Sequence, residues 1–304
     1  MEYILETNKL TKVYGQKEAA VDVDLHIREG QIYGLIGRNG AGKTTIMRII
    51  SGLSAPTRGS YSLFGKTGPE MGKLLRNVGV LIEHPGLYPR LSAYENLKIK
   101  CIAMGIKPQG YVEELLQLIG LESTDRKKPS GAYSLGMRQR LGIGLALVGN
   151  PKLIILDEPI NGLDPQGIVE VRETLVRLRD DKGITMMISS HILDELAKVA
   201  DAYGIIHEGR LLDEFTEEEL MRRSEQYVRI RTDNNQAALE ALNRLGFRAV
   251  SQQQDFLYVR ERLDDTPAMA AAVVNAGIGL RELSVNTVSL EDYYLSVTGG
   301  KHNG

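Results

Sequence analysis

The chain has 304 residues, 42% of them hydrophobic and 25% charged, the balance of a globular protein with one large domain and room for a second small one. Lys and Arg number 37 against 39 Asp and Glu, a formal charge of -2, which argues against bulk attraction to nucleic acid or to an acidic membrane surface. The single cysteine, Cys101, excludes an internal disulfide or a cysteine metal cluster, and its apolar helical setting marks it as buried and structural.

The opening MEYILETNKL lacks the basic start and long apolar run of a secretory signal, so the chain is expected to stay in the cytosol. No apolar run approaches the roughly 18 residues a membrane span needs. Over residues 1–30, Val21, Val23, Leu25 and Ile27 alternate with Asp22, Asp24, His26 and Arg28, which predicts half-buried strands with His26 on the wet side. From Ile32 the strands become short and apolar without alternation (QIYGLIG, NVGVLI, KLIILD, ITMMISS), as fully buried parallel strands do. Residues 90–150 carry an almost wholly helical pattern and read as an α-helical insert.

A break follows near 216–224, where Thr216 and Glu219 have capping-box spacing. Beyond it, YVRIRTD, NQAALEALNRLG, FRAVS, FLYVR, PAMAAAVVNAG and LRELSV give the order βαββαβ, that of a ferredoxin-like domain. The expected division is therefore 1–220 and 225–304, in an α/β protein with a small α+β C-terminal domain. That domain assists dimerisation, regulates, or caps the larger one; its residues do not choose among these.

Six stretches carry chemistry. Gly37-Arg38-Asn39-Gly40-Ala41-Gly42-Lys43-Thr44 fits GxxxxGK[ST] between an apolar strand and a helical run that continues through Thr45. Such a loop closes backbone N–H groups around phosphates, with Lys43 adding a full charge and the Thr44 hydroxyl available to Mg²⁺. Leu153–Leu156 then deliver Asp157 and Glu158 to the C-terminal edge of a buried strand, where open α/β sheets bind ligands. Asp157 suits a Mg²⁺ ligand acting through water, and Glu158 a base that polarises the attacking water. Tyr133 to Arg140 (YSLGMRQR) open a helical pattern at Ser134, Asn161-Gly162-Leu163-Asp164 follow the acids, and His191 ends the strand TMMISS. Finally, GVLIEHPGLYP at 79–89 ends an apolar run on Glu83, which either does chemistry or caps the strand and turns toward water; His84 reads as a loop residue.

With those motifs in that order, residues 1 to about 220 resemble the ATP-binding cassette (ABC) ATPases, the motor subunits of membrane transporters. The resemblance implies that Tyr14 stacks on adenine and that residues Gly37 to Thr45 bind ATP. It implies that Thr44, Glu83 and Asp157 lie at the metal, that Glu158 is the catalytic base and that His191 is the switch residue on the γ-phosphate. Ser134, Leu135, Gly136 and Met137 would form the signature segment that reaches ATP held by a second cassette, and Asp164 would lie in the loop contacting that partner. Leu135 and Met137 depart from the commoner LSGGQ signature, and Glu83 stands where the family usually has glutamine. The resemblance further implies a pair of cassettes, most simply a homodimer, docked on integral membrane permease subunits at the inner face of the cell membrane. ATP is the substrate and Mg²⁺ the cofactor, with no nucleic-acid partner.

A phosphate-loop kinase or GTPase would use Lys43 and Asp157 but leave the signature and His191 without a role. A cytosolic ABC ATPase of translation or repair would bring two cassettes in one chain or a long coiled-coil insert. The stretches LIEHPGLYPRLSAYENL, YSLGMRQRLGIG and PINGLDPQG are similar to the ATPase subunits of bacterial bacitracin and lantibiotic exporters. The implied function is export of antimicrobial peptides, with a general drug or lipid exporter as the alternative.

Overall fold

The computed structural model describes residues 3–223, 226–286 and 289–299. The chain divides into two compact units, residues 1–217 and 218–304. Residue 225, where the second domain is expected to begin, lies outside the described residues, as do 300–304 at its end.

The larger unit holds two sheets. The first is antiparallel: Tyr3–Tyr14 pairs with Lys17–Val23, His26–Arg28 and Arg58–Leu63. The second has six strands in the order Arg210–Thr216, Ala202–His207, Ile32–Ile36, Thr185–Ser190, Leu153–Asp157 and Val78–Leu81. Its five inner and far strands run parallel, and only the Arg210–Thr216 edge is antiparallel. Ile32–Ile36, Leu153–Asp157 and Thr185–Ser190 are buried at every residue, which is why their sequences are apolar without alternation.

The helix Lys43–Ile50 packs into the core shared by both sheets. Its Ile46, Met47, Ile49 and Ile50 line one face and all are buried, in contact with a cluster that includes Leu5, Leu25 and Ile27 from one sheet and Leu35, Ile155 and Met187 from the other. The opposite face carries Thr44, Thr45 and Arg48, which are only half-buried, so the helix is amphipathic and presents its apolar stripe to the core. The start of this helix is thereby held rigidly against the C-terminal ends of the parallel strands.

The helical stretch consists of Ala93–Ala103, Tyr111–Leu118 and Leu135–Leu147. The first is started by a capping box in which the Ser92 hydroxyl accepts from the Glu95 N–H while the Glu95 carboxylate accepts from the Ser92 N–H. Those hydrogen bonds from Ser92 hold the Glu95 carboxyl below the usual range. Cys101 is fully buried on this helix, and burial pushes its thiol up, in line with an inert structural role.

Three elements escape the sequence pattern: the strand Arg58–Leu63, the hairpin formed by Ala202–His207 and Arg210–Thr216, and a last helix, Leu290–Thr298. His26 is also less free than its wet-side position suggests. Its Nδ1 lies 2.7 Å from Glu214 Oε2, and its backbone N–H donates to Glu214 Oε1 at 2.8 Å, an oxygen that also accepts from the buried Tyr33 hydroxyl.

The smaller unit contains Tyr227–Thr232, Val250–Gln253, Phe256–Val259 and Leu280–Asn286 in one antiparallel sheet. Numbered along the unit, its strand order is 2-3-1-4, the ferredoxin-like arrangement expected of βαββαβ. Helices Asn235–Arg244 and Thr266–Asn275 supply Ala238, Leu242, Met269 and Val273 to a core with Val228, Ile230, Leu257 and Val259.

Candidate nucleotide site

The residues from Gly37 to Gly42 link the end of one parallel strand to the start of the buried helix. Gly42 caps that helix at φ 110°, a left-handed conformation, and a Cβ there would lie 2.4 Å from the Ala19 carbonyl oxygen. Only glycine meets both conditions. Lys43, the first helical residue, is buried, and its ammonium turns back onto its own loop. It donates to the Gly37 carbonyl at 2.6 Å and to Arg38 at 3.4 Å, with Glu158 Oε1 3.1 Å away. The last contact is within ion-pair distance but not aligned as a hydrogen bond, so that carboxylate oxygen holds Lys43 by charge alone. A phosphate entering the loop would compete for the same ammonium.

The two acids stand side by side with separate partners. Asp157 Oδ2 accepts from the Thr44 hydroxyl at 2.7 Å, and Asp157 Oδ1 accepts from Ser189 at 2.5 Å. Glu158 has φ 49°, and its Oε2 lies 2.7 Å from His191 Nδ1. An ionised carboxylate only accepts, so Nδ1 carries the proton in this contact. The structure thus brings Lys43, Thr44, Asp157, Glu158 and His191 into one connected group. Ser189 joins them and is passed over by the motif reading; the signal available for it is a polar pair, Ser189-Ser190, closing an apolar strand just before His191.

The remaining candidates occupy other places. Tyr14 ends its strand 46% exposed, with Lys12 Nζ over its ring 5.0 Å from the centroid. Arg38, Asn39 and Gly40 are exposed at the loop tip, while Ala41 is buried beneath it. Ser134 caps the helix Leu135–Leu147 by accepting from the Met137 N–H at 3.2 Å, and Leu135 stands 44% exposed. Gly136 is buried, and a Cβ there would come within 3.2 Å of Gly167 Cα, so the signature helix packs closely on helix Pro165–Lys182. Arg140 strengthens that contact through Glu170 at 2.9 Å. Asp164 caps the second helix by accepting from the Gly167 N–H at 3.0 Å.

Glu83 has φ 67°, and its carboxylate is held by Arg48 at 2.5 Å, on the helix that begins with Lys43. Both side chains are more than a third exposed, and exposed pairs contribute about 0–1 kcal/mol. Replacing either Glu83 or Arg48 with Ala is therefore expected to lower unfolding free energy by no more than about 1 kcal/mol in a denaturant titration. A larger loss would mark the pair as a structural strut. Past His84, the loop is gripped by Asn96, which is nearly fully buried: its Oδ1 accepts from the Tyr88 N–H at 2.8 Å and its Nδ2 reaches the Tyr88, Leu91 and Ser92 carbonyls.

A glycine-rich loop on a helix N-terminus, with a lysine, a hydroxyl and two acids at the ends of parallel strands, defines a phosphate-loop nucleotide-binding protein. A family model described as ABC transporter matches residues 20–161. The bacitracin transport ATP-binding protein BcrA of Bacillus licheniformis is 39% identical over 303 residues, 99% of each chain. The lantibiotic transport ATP-binding protein SrtF of Streptococcus pyogenes is 44% identical over 209 residues, 69% of this chain and 89% of that one. Among solved structures, cbiO1 from Clostridium perfringens, described as part of the ABC transporter complex cbiONQ, superposes with a TM-score of 0.67 at 26% identity, covering 81% of this chain and 96% of that one. The chain belongs to the ABC transporter ATP-binding proteins.

Proposed function

We propose that this chain is the ATP-hydrolysing subunit of a bacterial exporter that expels antimicrobial peptides of the bacitracin or lantibiotic type. The observation that carries the ATPase reading is the connected group Lys43, Thr44, Asp157, Glu158 and His191. The likeness to bacitracin and lantibiotic transport proteins supports the cargo class.

Lys43 leaves the Gly37 and Arg38 carbonyls for the phosphates, where it neutralises charge without needing to reorient far. Tyr14 offers its ring to adenine, and the helix N-terminus that starts at Lys43 offers N–H groups to the phosphate chain, the Ala41 N–H being taken by the Arg38 carbonyl. The Thr44 hydroxyl and Asp157 carboxylate converge within 2.7 Å, two hard oxygen donors that fit Mg²⁺, which is commonly held by one or two carboxylates plus substrate phosphates and water. When bound there, Mg²⁺ neutralises charge on the transferring phosphoryl group. Glu158 takes the proton of the attacking water as the bond from the γ-phosphorus to the bridging oxygen of ADP breaks. His191, with its proton on Nδ1, orients that carboxylate.

Ser134, Leu135, Gly136 and Met137 have no hydrogen bond or ion pair to this group among the described residues, and Asp164 likewise keeps to its own helix. They are assigned to the ATP of a second copy, Ser134 presenting its hydroxyl at a helix N-terminus. Among the described residues no helix is long and apolar enough to cross a membrane, so the membrane path belongs to permease subunits. A groove of about 480 Å³ beside Glu83, with Leu53, Ile82, Pro85, Tyr88 and Ile99 along it, is the surface assigned to them. Glu83 lies next to that groove, on the side of the phosphate-loop helix, and serves as the contact between the two.

The test co-expresses the chain with candidate permease subunits, recovers the complex in lipid, and measures ATPase rate with bacitracin, a lantibiotic, or a non-peptide drug. The expected result is stimulation by a peptide and loss of that activity with Ser134→Arg, which places a bulky cation at the trans contact. Stimulation by the drug alone would overturn the cargo, and full activity of Ser134→Arg would overturn the paired site.

A further inference from the structure

Ser189 lies fully buried on the strand between the phosphate-loop strand and the acid strand, in register with Leu35 on one side and Asp157 on the other. Its hydroxyl uses both of its hydrogen-bonding roles on the acids. It donates to Asp157 Oδ1 at 2.5 Å and accepts from the backbone N–H of Glu158 at 2.9 Å. The other oxygen of Asp157 accepts from Thr44, so that carboxylate is gripped at both ends. Glu158 meanwhile sits at φ 49°, a left-handed conformation that is strained for a residue other than glycine and persists only where surroundings hold it. The N–H that Ser189 accepts belongs to this strained residue. Ser190, next in the chain, does something else: its hydroxyl bonds within the turn to Ile192.

We infer that Ser189 is a positioning residue for both acids, orienting Asp157 toward the metal and locking the backbone of Glu158 so that its side chain reaches the attacking water. The inference rests on the reading of Asp157 and Glu158 given above. Ser189 itself touches neither nucleotide nor water in this scheme. Its loss would leave Asp157 with one fixed oxygen and the Glu158 N–H without its partner, while Lys43 and the phosphate loop keep theirs. Nucleotide binding without metal is then unaffected, and metal-dependent steps suffer.

The experiment compares the full chain with Ser189→Ala and Ser189→Thr. Steady-state ATPase gives kcat and KM, and calorimetry gives ADP affinity with and without Mg²⁺. Removing a supporting hydrogen bond beside a metal ligand typically costs about 10–100-fold, so kcat of Ser189→Ala is expected to fall within that range with KM little changed. The gain in ADP affinity on adding Mg²⁺ shrinks, the Mg²⁺-free affinity stays at the parental value, and Ser189→Thr, which keeps the hydroxyl, recovers most of both losses. If the added methyl unfolds Ser189→Thr, Ser189→Cys replaces it and should fall between parent and Ala. Parental kcat and parental Mg²⁺ gain in Ser189→Ala would overturn the inference, as would a loss that the hydroxyl-bearing variant fails to recover. Glu158→Gln run alongside separates the two readings: if it turns over at the parental rate, the assignment of Glu158 as base fails, while the Mg²⁺ gain still tests Ser189 through Asp157.

Discussion

Replacing Glu158 with Gln is expected to lower ATP turnover about 10²–10⁴-fold, the usual worth of a general base, while ATP binding persists. The geometry also sets the sign of the binding change. Glu158 Oε1 lies 3.1 Å from Lys43 Nζ, so the carboxylate competes with phosphate for that ammonium. The neutral amide competes less, and nucleotide affinity should equal or exceed the parental value. Glutamine keeps the shape and the contact with His191, so the fold is not at stake. Steady-state ATPase and a fluorescent-nucleotide titration read the two quantities separately. Turnover at the parental rate would remove Glu158 from the mechanism.

Lys43→Ala should act on the opposite quantity. Truncating one partner of a buried charged contact costs about 2–5 kcal/mol. Each 1.4 kcal/mol is tenfold, so ATP affinity should fall by about 30-fold or more. The loss has one source: the phosphates lose the buried cation of this loop. An affinity within about threefold of the parent would show that backbone N–H groups alone hold the phosphates.

The parts of this site that are legible in the sequence are those whose chemistry is local. The phosphate loop, the acids ending KLIILD and the histidine ending TMMISS sit at junctions between strand and loop, and such junctions show as abrupt changes in pattern. Fully buried strands were equally readable, since an unbroken apolar run leaves few alternatives. Partnerships across the chain left no such trace. Glu83 ends on Arg48, 35 residues earlier; Asp157 accepts from the Ser189 hydroxyl, 32 residues later; and His26 meets Glu214 across 188 residues. Asp157 and Ser189 meet because their strands are neighbours in the sheet, Glu83 and Arg48 because a loop lies beside the phosphate-loop helix, and His26 and Glu214 because strands of two different sheets approach; no window of the sequence contains both members of a pair. Arg58–Leu63 was missed for a related reason: five of its six residues are exposed or only half-buried, so its alternation is weak, and pairing with Tyr3–Tyr14 makes it a strand.

The Asn96 clamp also ties two distant stretches of the chain into one unit. Asn96 binds the loop backbone at Tyr88, Leu91 and Ser92, and the same loop is stitched to residues ahead of the signature helix. The Ser130 hydroxyl donates to the Tyr88 carbonyl, the Gly131 N–H to Pro89, and the Ala93 N–H to the Tyr133 hydroxyl, one residue before Ser134. In mechanical terms residues 88–93 and 130–134 form one stiff arm. Glu83 comes before that arm, at a left-handed turn whose carboxylate pairs with Arg48 on the helix that begins with Lys43. A force applied to the 85–91 loop would therefore meet an unbroken run of hydrogen bonds up to the residue before Ser134.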